Sequence, residues 1–169
     1  TQSAMMLMGV ILPLLAFSWA HNDKHEFKKR FQQSFDMMML FAIPMMVGTI
    51  ALSDKIMSFI AGEDFINSGK LLFILSIAVF GVFLGAVFGH TAVAINKQKQ
   101  TLWIYISNAF ITLTGYLIFI PLYGLYGAAW MSVFSELYAG ILLFFTVRHY
   151  TKEKLNFKTT SKIIFASLI

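Results

Sequence analysis

The chain has 169 residues, of which 58% are hydrophobic and only 12% are charged, about half the charged share of a soluble domain. This composition excludes a soluble globular protein and indicates an integral membrane protein. The net charge is +5 and there is no cysteine, which excludes disulfides, thiolate metal sites and cysteine nucleophiles. No phosphate-binding loop, HExxH or GxSxG motif occurs, so the sequence predicts neither an enzyme nor a bound cofactor or metal.

Apolar runs long enough to cross a bilayer recur along the chain, at residues 1–20, 37–52 (extendable to 61), 71–95, 102–121 and 127–147, and a sixth begins at 163. About twenty apolar residues in a helix span the hydrocarbon core. The sequence therefore predicts an all-α, polytopic transmembrane helix bundle with about five complete spans and the start of a sixth. Because both ends interrupt an apolar run, we expect this to be a partial chain of a longer protein.

Basic residues lie almost entirely in alternate loops. Eleven of the thirteen follow the first, third or fifth span: Lys24, Lys28, Lys29, Arg30, Lys97, Lys99, Arg148, Lys152, Lys154, Lys158 and Lys162. Loops rich in Lys and Arg stay on the cytoplasmic side. The pattern predicts that these three loops are cytoplasmic, and that residues 54–70 lie on the outer side.

The segment after the first span combines an apolar stripe, Phe27, Phe31 and Phe35, with the basic residues Lys28, Lys29 and Arg30. On a helix the phenylalanines share one face and the basic side chains turn away from it. The segment either lies along the inner membrane surface against anionic headgroups and anchors the topology, or binds the diphosphate of a lipid-linked molecule.

The third span contains glycines at every fourth position, Gly81, Gly85 and Gly89, followed by His90. Such a ridge lets a neighbouring helix approach closely, either as static packing or as a sliding surface. At this depth His90 is either a hydrogen-bonded packing residue or part of a proton relay. On the fourth span, Asn108 and Thr112 lie one turn apart, a spacing typical of polar contacts between helices.

Glu136 is the only acidic residue inside the fifth apolar run. An ionised carboxylate in hydrocarbon costs several kcal/mol or more, so it should face protein or a water-filled cavity. It belongs to a small, polar helix face formed by Ala129, Ser132, Glu136 and Gly140. Two roles remain open: coupling a proton to transport, or staying protonated and bonding across helices to Asn108 or Thr112.

The segments FIAGEDFINSGKLLFIL, INKQK and FIPLYGLYGAAWMSVFSELYAGIL resemble the second half of the polysaccharide-repeat-unit flippases, in the multidrug/oligosaccharidyl-lipid/polysaccharide exporter superfamily. The most specific part is residues 120–129, followed by Ser135 and Glu136. The resemblance implies a two-lobed transporter with a central cavity. Residues 1–147 would form the second lobe, incomplete at its N-terminal end, 148–162 a cytoplasmic linker, and 163–169 the start of an additional transmembrane helix.

The resemblance also implies a function: moving undecaprenyl-diphosphate-linked oligosaccharide repeat units across the bacterial cytoplasmic (inner) membrane for polysaccharide or O-antigen export. The implied partners are the bilayer, that lipid-linked glycan and polysaccharide polymerase components, with no nucleic acid. In this setting Lys28, Lys29 and Arg30 would meet the substrate diphosphate. Thr112, Tyr116 and Leu122 stand where many relatives have asparagines and a basic residue, a difference that bears on the subfamily more than on the superfamily. The alternatives are a cation-coupled multidrug exporter and a non-transporting membrane scaffold for glycan assembly.

Overall fold

The computed structural model describes residues 2–153 and 155–167, without the side chains of 2–5, 7 and 65–67. Lys154, in the predicted cytoplasmic linker, and the last two residues of the predicted additional helix lie outside the described residues. The described elements are helices: α1 (Gln2–Ala20), α2 (Lys24–Ala61), a 3₁₀ helix (Glu63–Ser68), α3 (Gly69–Ala94), α4 (Gln98–Tyr123), α5 (Leu125–Thr151) and α6 (Lys158–Ser167).

The predicted all-α membrane bundle is confirmed. Four of the described helices, α2 to α5, are long and apolar enough to cross a membrane, and the apolar stretch Met8–Ala20 of α1 is shorter. Short connections at residues 21–23 and 95–97 and at Gly124 join consecutive helices. Gly124 has a φ of +58°, a left-handed conformation that favours glycine. The chain is a multi-pass membrane protein.

Helix α2 is one continuous helix of 38 residues, which joins the basic segment to the second span. At 1.5 Å per residue it measures about 57 Å, so its basic first turns extend beyond a hydrocarbon core of about 30 Å. The Asp23 side chain caps it by accepting a hydrogen bond from the Glu26 backbone N–H at 2.9 Å, as is typical of N-cap residues.

The phenylalanine stripe of α2 faces protein. Phe27, Phe31 and Phe35 are each no more than 3% exposed; Phe27 packs on Trp19 of α1, and the other two pack on Phe88 of α3. Of the two alternatives for this segment, the one that lays its apolar stripe on the membrane surface is therefore wrong, because the bundle core covers the three phenylalanines.

Helix α3 lies at the centre and packs against α1, α2 and α5. It lies close to α5 at Gly81, where an added Cβ would lie 2.8 Å from the Glu136 carbonyl carbon. Gly140 of α5 also lies close to α3, since a Cβ there would lie 3.1 Å from the Leu84 Cβ. The Gly85 nitrogen would lie 3.6 Å from the same Cβ on Gly140, so the backbone of the ridge stays close to α5, but a Cβ on Gly85 itself would meet nothing within 4 Å.

Helix α4 is held mainly by α5. At Gly115 an added Cβ would overlap Met131, and at Gly127 it would overlap the Phe119 backbone, so glycines allow the two helices to touch. Only Thr101 and Gly115 of α4 are buried. Because α4 makes few contacts with α3, a wedge remains open between these two helices.

The end of the described chain consists of the last turns of α5, a short connection and α6. Helix α5 continues to Thr151, and α6 begins at Lys158, five residues before the apolar run at 163. The segment predicted as a cytoplasmic linker, 148–162, thus contains the end of α5 and the start of α6, and its place in the cytoplasm stays a prediction. The backbone of α6 approaches that of α2, and among the described helices it approaches no other.

Candidate functional site

A cavity of about 400 Å³ fills the wedge between α3, α4 and α5. It extends from the α3–α4 connection to the middle of α5, and most of its surface is apolar. The lining residues are Val82, Gly85, Ala86, Gly89, His90, Val93, Thr101, Tyr105, Glu136 and Ala139. The polar side chains among them come from all three helices, and the cavity brings together two of the sequence candidates, His90 of α3 and Glu136 of α5.

Glu136 lines this cavity from α5 and is half-buried. Its backbone packs on Gly81 while its side chain reaches the space beside Gly85 and Gly89. The glycines of α3 thus serve two purposes: the first allows close packing, and the next two leave room for the cavity. This is the protein-facing environment that an acid at mid-membrane depth requires.

His90 lines the same cavity from α3. Its ring Nδ1 lies 2.7 Å from the Ala86 carbonyl oxygen. A carbonyl only accepts, so Nδ1 carries the proton and donates this bond. Among the described residues, no hydrogen bond reaches the second ring nitrogen, Nε2. His90 is therefore hydrogen-bonded within its own helix, and its part in a proton relay stays a prediction.

Tyr105 and Thr101 complete the cavity from α4, and the sequence analysis missed both. Tyr105 reaches across to α3, where its hydroxyl would lie 3.1 Å from a Cβ on Gly89. The Thr101 hydroxyl donates to the Lys97 carbonyl at 3.2 Å. A signal was present in the sequence, because polar residues recur at spacings of three and four along one face of α4: Thr101, Tyr105, Asn108, Thr112 and Tyr116.

Ser132 lies outside the cavity lining but belongs to a polar contact of its own. Its hydroxyl lies 2.9 Å from the Ala128 carbonyl and 2.9 Å from the Tyr116 hydroxyl. Since the serine proton goes to the carbonyl, Tyr116 is the donor to Ser132. This bond ties α4 to α5 along the same polar face that carries Glu136.

Asn108 and Thr112 contact each other and not Glu136. The Thr112 hydroxyl lies 3.5 Å from the Asn108 side-chain oxygen, at the long limit for a hydrogen bond. Among the described residues, no hydrogen bond joins Glu136 to either of them. The cross-helix bond that would give Glu136 a purely structural role is not formed in this conformation.

The three basic candidates on α2 have different surroundings. Lys28 forms a salt bridge of 3.1 Å with Glu153, and Arg30 forms one of 2.7 Å with Glu26. Lys29 is exposed. The Lys28 side chain remains 57% exposed, so Lys28 and Lys29 are the two that an anion could reach.

Comparisons with known proteins complete the description of the site. The family model described as "Lipid II flippase MurJ" matches residues 4–169. None of the curated proteins matches the chain.

Proposed function

The chain belongs to the lipid II flippase MurJ family, and we propose that it is part of a transporter that moves lipid II from the inner to the outer leaflet of a bacterial cytoplasmic membrane. The family consists of flippases, which are transporters and not enzymes. The observation that carries the proposal is the family match, since it covers residues 4–169. The described membrane helices and the cavity between α3, α4 and α5 agree with a transport role.

The substrate differs from the one implied by the resemblance. The match supports the exporter superfamily and a lipid-linked glycan as the substrate, and it does not extend to the polysaccharide-repeat-unit family or to O-antigen units. Lipid II is a precursor of peptidoglycan, so we assign the chain to that process. An enzyme that polymerises the flipped glycan at the outer face is the class of partner that the proposal requires.

In this proposal residues 1–147 are the larger part of the second lobe, and the basic loops face the cytoplasm. Support comes from the alternation of charge along the sequence and from contacts between the basic loops. Lys28 at the start of α2 pairs with Glu153 after α5, and the Lys97 ammonium at the α3–α4 turn lies 4.2 Å from the centre of the Tyr150 ring. The three basic loops therefore gather at one end of the bundle.

Glu136 is the acid we assign to the coupling of transport to a proton, with His90 and Tyr105 as its polar neighbours in the cavity. The support is geometric: the carboxylate lines a cavity, and it makes no hydrogen bond to Asn108 or Thr112. An acid that must gain and lose a proton needs access to water at some stage of the cycle, and a cavity supplies that access.

Lys28 and Lys29 are assigned to the anionic part of the arriving substrate or of neighbouring lipids. Both side chains are exposed at the basic end of α2. A cluster of lysines beside a membrane span attracts anionic headgroups by about 1 kcal/mol per charge. Arg30 is a weaker candidate, because its side chain is 32% exposed whereas that of Lys28 is 57% exposed.

The experiment is replacement of the resident flippase. In a bacterium whose own lipid II flippase is depleted, the full-length protein should restore growth and lipid II at the outer face, both measured at matched expression. A matched strain that lacks its O-antigen flippase should not regain O-antigen. Restored O-antigen without restored lipid II would contradict the proposed substrate.

A further inference from the structure

The cytoplasmic start of α2 presents one face to the connection between α5 and α6. Lys28, Gln32 and Phe35 lie on successive turns of α2, and they contact Glu153, Asn156 and Phe157 in the same order. Residues three and four apart share one helix face. We call these three pairs the clasp.

Gln32 is the most specific part of the clasp. Its amide nitrogen donates to the Asn156 carbonyl at 2.9 Å, and its amide oxygen accepts from the Asn156 backbone N–H at 2.9 Å. The same nitrogen donates to Asp36 at 2.9 Å. Because the Asn156 carbonyl and the Asp36 carboxylate only accept, the orientation of the amide is determined. The side chain therefore binds the backbone of the connection, whatever the side chain at position 156.

The other two pairs flank this amide. Lys28 and Glu153 form the exposed salt bridge, and Phe35 and Phe157 meet edge to face with ring centres 5.5 Å apart. Exposed salt bridges contribute little, whereas an aromatic pair in this arrangement is favourable. The clasp thus has an apolar base, a specific hydrogen-bonded centre and a weak charged outer edge.

The clasp lies where the chain leaves α5 and turns to pack on α2. At Lys152 the backbone leaves α5 with a φ of 57°, and α6 then packs on α2, where Thr160 and Ile163 are buried. Among the described helices α2 is the one whose backbone α6 approaches. The position of α6 therefore depends on α2, although α5 precedes it in the sequence.

We propose that the clasp, through Gln32, fixes α6 to α2 as one rigid unit. The chain that follows α5 then moves together with α2 and not with α5. This role goes beyond the transport of lipid II and does not depend on the identity of the substrate. It also gives Gln32, an uncharged residue, a role in holding α6 against α2.

The test measures a distance in the full-length protein. Spin labels are placed on Lys29→Cys of α2 and Lys162→Cys of α6, two exposed positions outside the clasp, and double electron–electron resonance reports the distribution of label distances. The parent should give one narrow distance. Gln32→Ala removes the two hydrogen bonds to Asn156, each worth on the order of two- to tenfold in an equilibrium, and should broaden and lengthen the distribution.

The matched control is Gln33→Ala, because Gln33 is the same residue type one position further on and is exposed. It should leave the distribution narrow. Glu153→Gln is a milder change confined to the salt bridge, and it should broaden the distance distribution less than Gln32→Ala. It replaces Gln32→Ala in the test if gel filtration shows that Gln32→Ala does not fold. A narrow distance in every variant would overturn the proposal, since apolar packing would then suffice. A broad distribution of label distances in the parent would overturn the proposal too.

Because this experiment records distances only, its result is independent of whether the protein moves lipid II. A protein that fails to flip lipid II but shows the expected distances would refute the proposed function and support the clasp. A protein that flips lipid II but does not show the expected distances would refute the clasp and leave the proposed function standing.

Discussion

Replacing Gly81 with alanine should destabilise the protein and disturb the position of Glu136, whereas the same replacement at Gly85, one turn away, should do neither. A Cβ on Gly81 would lie 2.8 Å from the Glu136 carbonyl carbon, 2.9 Å from the Glu136 Cβ and 3.0 Å from the Leu137 nitrogen. Carbon atoms attract best at about 3.5–4.0 Å. Two of the three atoms are backbone, so α3 and α5 must separate by roughly 0.5–1 Å to reach that distance.

Separating two packed helices by this amount costs about 1–3 kcal/mol, the usual range for overpacking. For a domain of 150–250 residues that corresponds to a fall of about 2–12 °C in the melting temperature. The assay is the melting temperature of the purified full-length protein in detergent, followed by tryptophan fluorescence. Gly85→Ala is the matched control, because its Cβ meets nothing within 4 Å and both variants gain the same helix propensity. Equal melting temperatures for the two variants would refute the close contact at Gly81.

Three further predictions follow from the site and the topology. Glu136→Gln should leave expression intact and abolish flipping of lipid II, whereas Glu136→Asp should retain part of it; normal flipping by the Gln variant at matched protein level would remove the proton-coupling role. Gly69→Ala should lower the melting temperature, because its Cβ would overlap the Asp54 carboxylate, while Gly48→Ala, whose Cβ meets nothing within 4 Å, should not; similar values for both would contradict that contact. A single cysteine at Asp64 should react with an impermeant maleimide only from the outer side of the membrane, and labelling only from the cytoplasmic side would invert the topology.

The sequence predicts the membrane helices well where their apolar runs have clear ends. Helices α3, α4 and α5 occupy the expected runs within a few residues, because length and hydropathy alone determine where a chain crosses a bilayer. The error at α2 has a physical cause. Phe27, Phe31 and Phe35 give the same helical periodicity whether lipid or protein covers them, and only the packing on Phe88 distinguishes the two.

The candidate site could be predicted in part. Glu136 and His90 stood out because polar groups in apolar spans need a reason, and both line the cavity. The spacing of the glycines did not reveal that Gly81 touches α5 while Gly85 borders open space, since a spacing gives the direction of a residue and not the distance to its neighbour. Tyr105 is near the end of its apolar run, where tyrosine is common at the membrane interface, and only the fold shows that its hydroxyl reaches Gly89.

The central claim, that the chain belongs to a transporter of lipid II, is tested most directly by reconstitution. The full-length protein is placed in vesicles that contain fluorescent lipid II, and an impermeant reductant destroys the fluorescence of every molecule that reaches the outer leaflet. In vesicles with the protein, we expect the reductant to reach almost all of the lipid II. For an undecaprenyl-diphosphate-linked oligosaccharide repeat unit tested in parallel, we expect the accessible share to equal that in protein-free vesicles. If the accessible share of lipid II stays at the protein-free level while that of the repeat unit rises, the protein is a flippase for a different glycan and the claim is wrong.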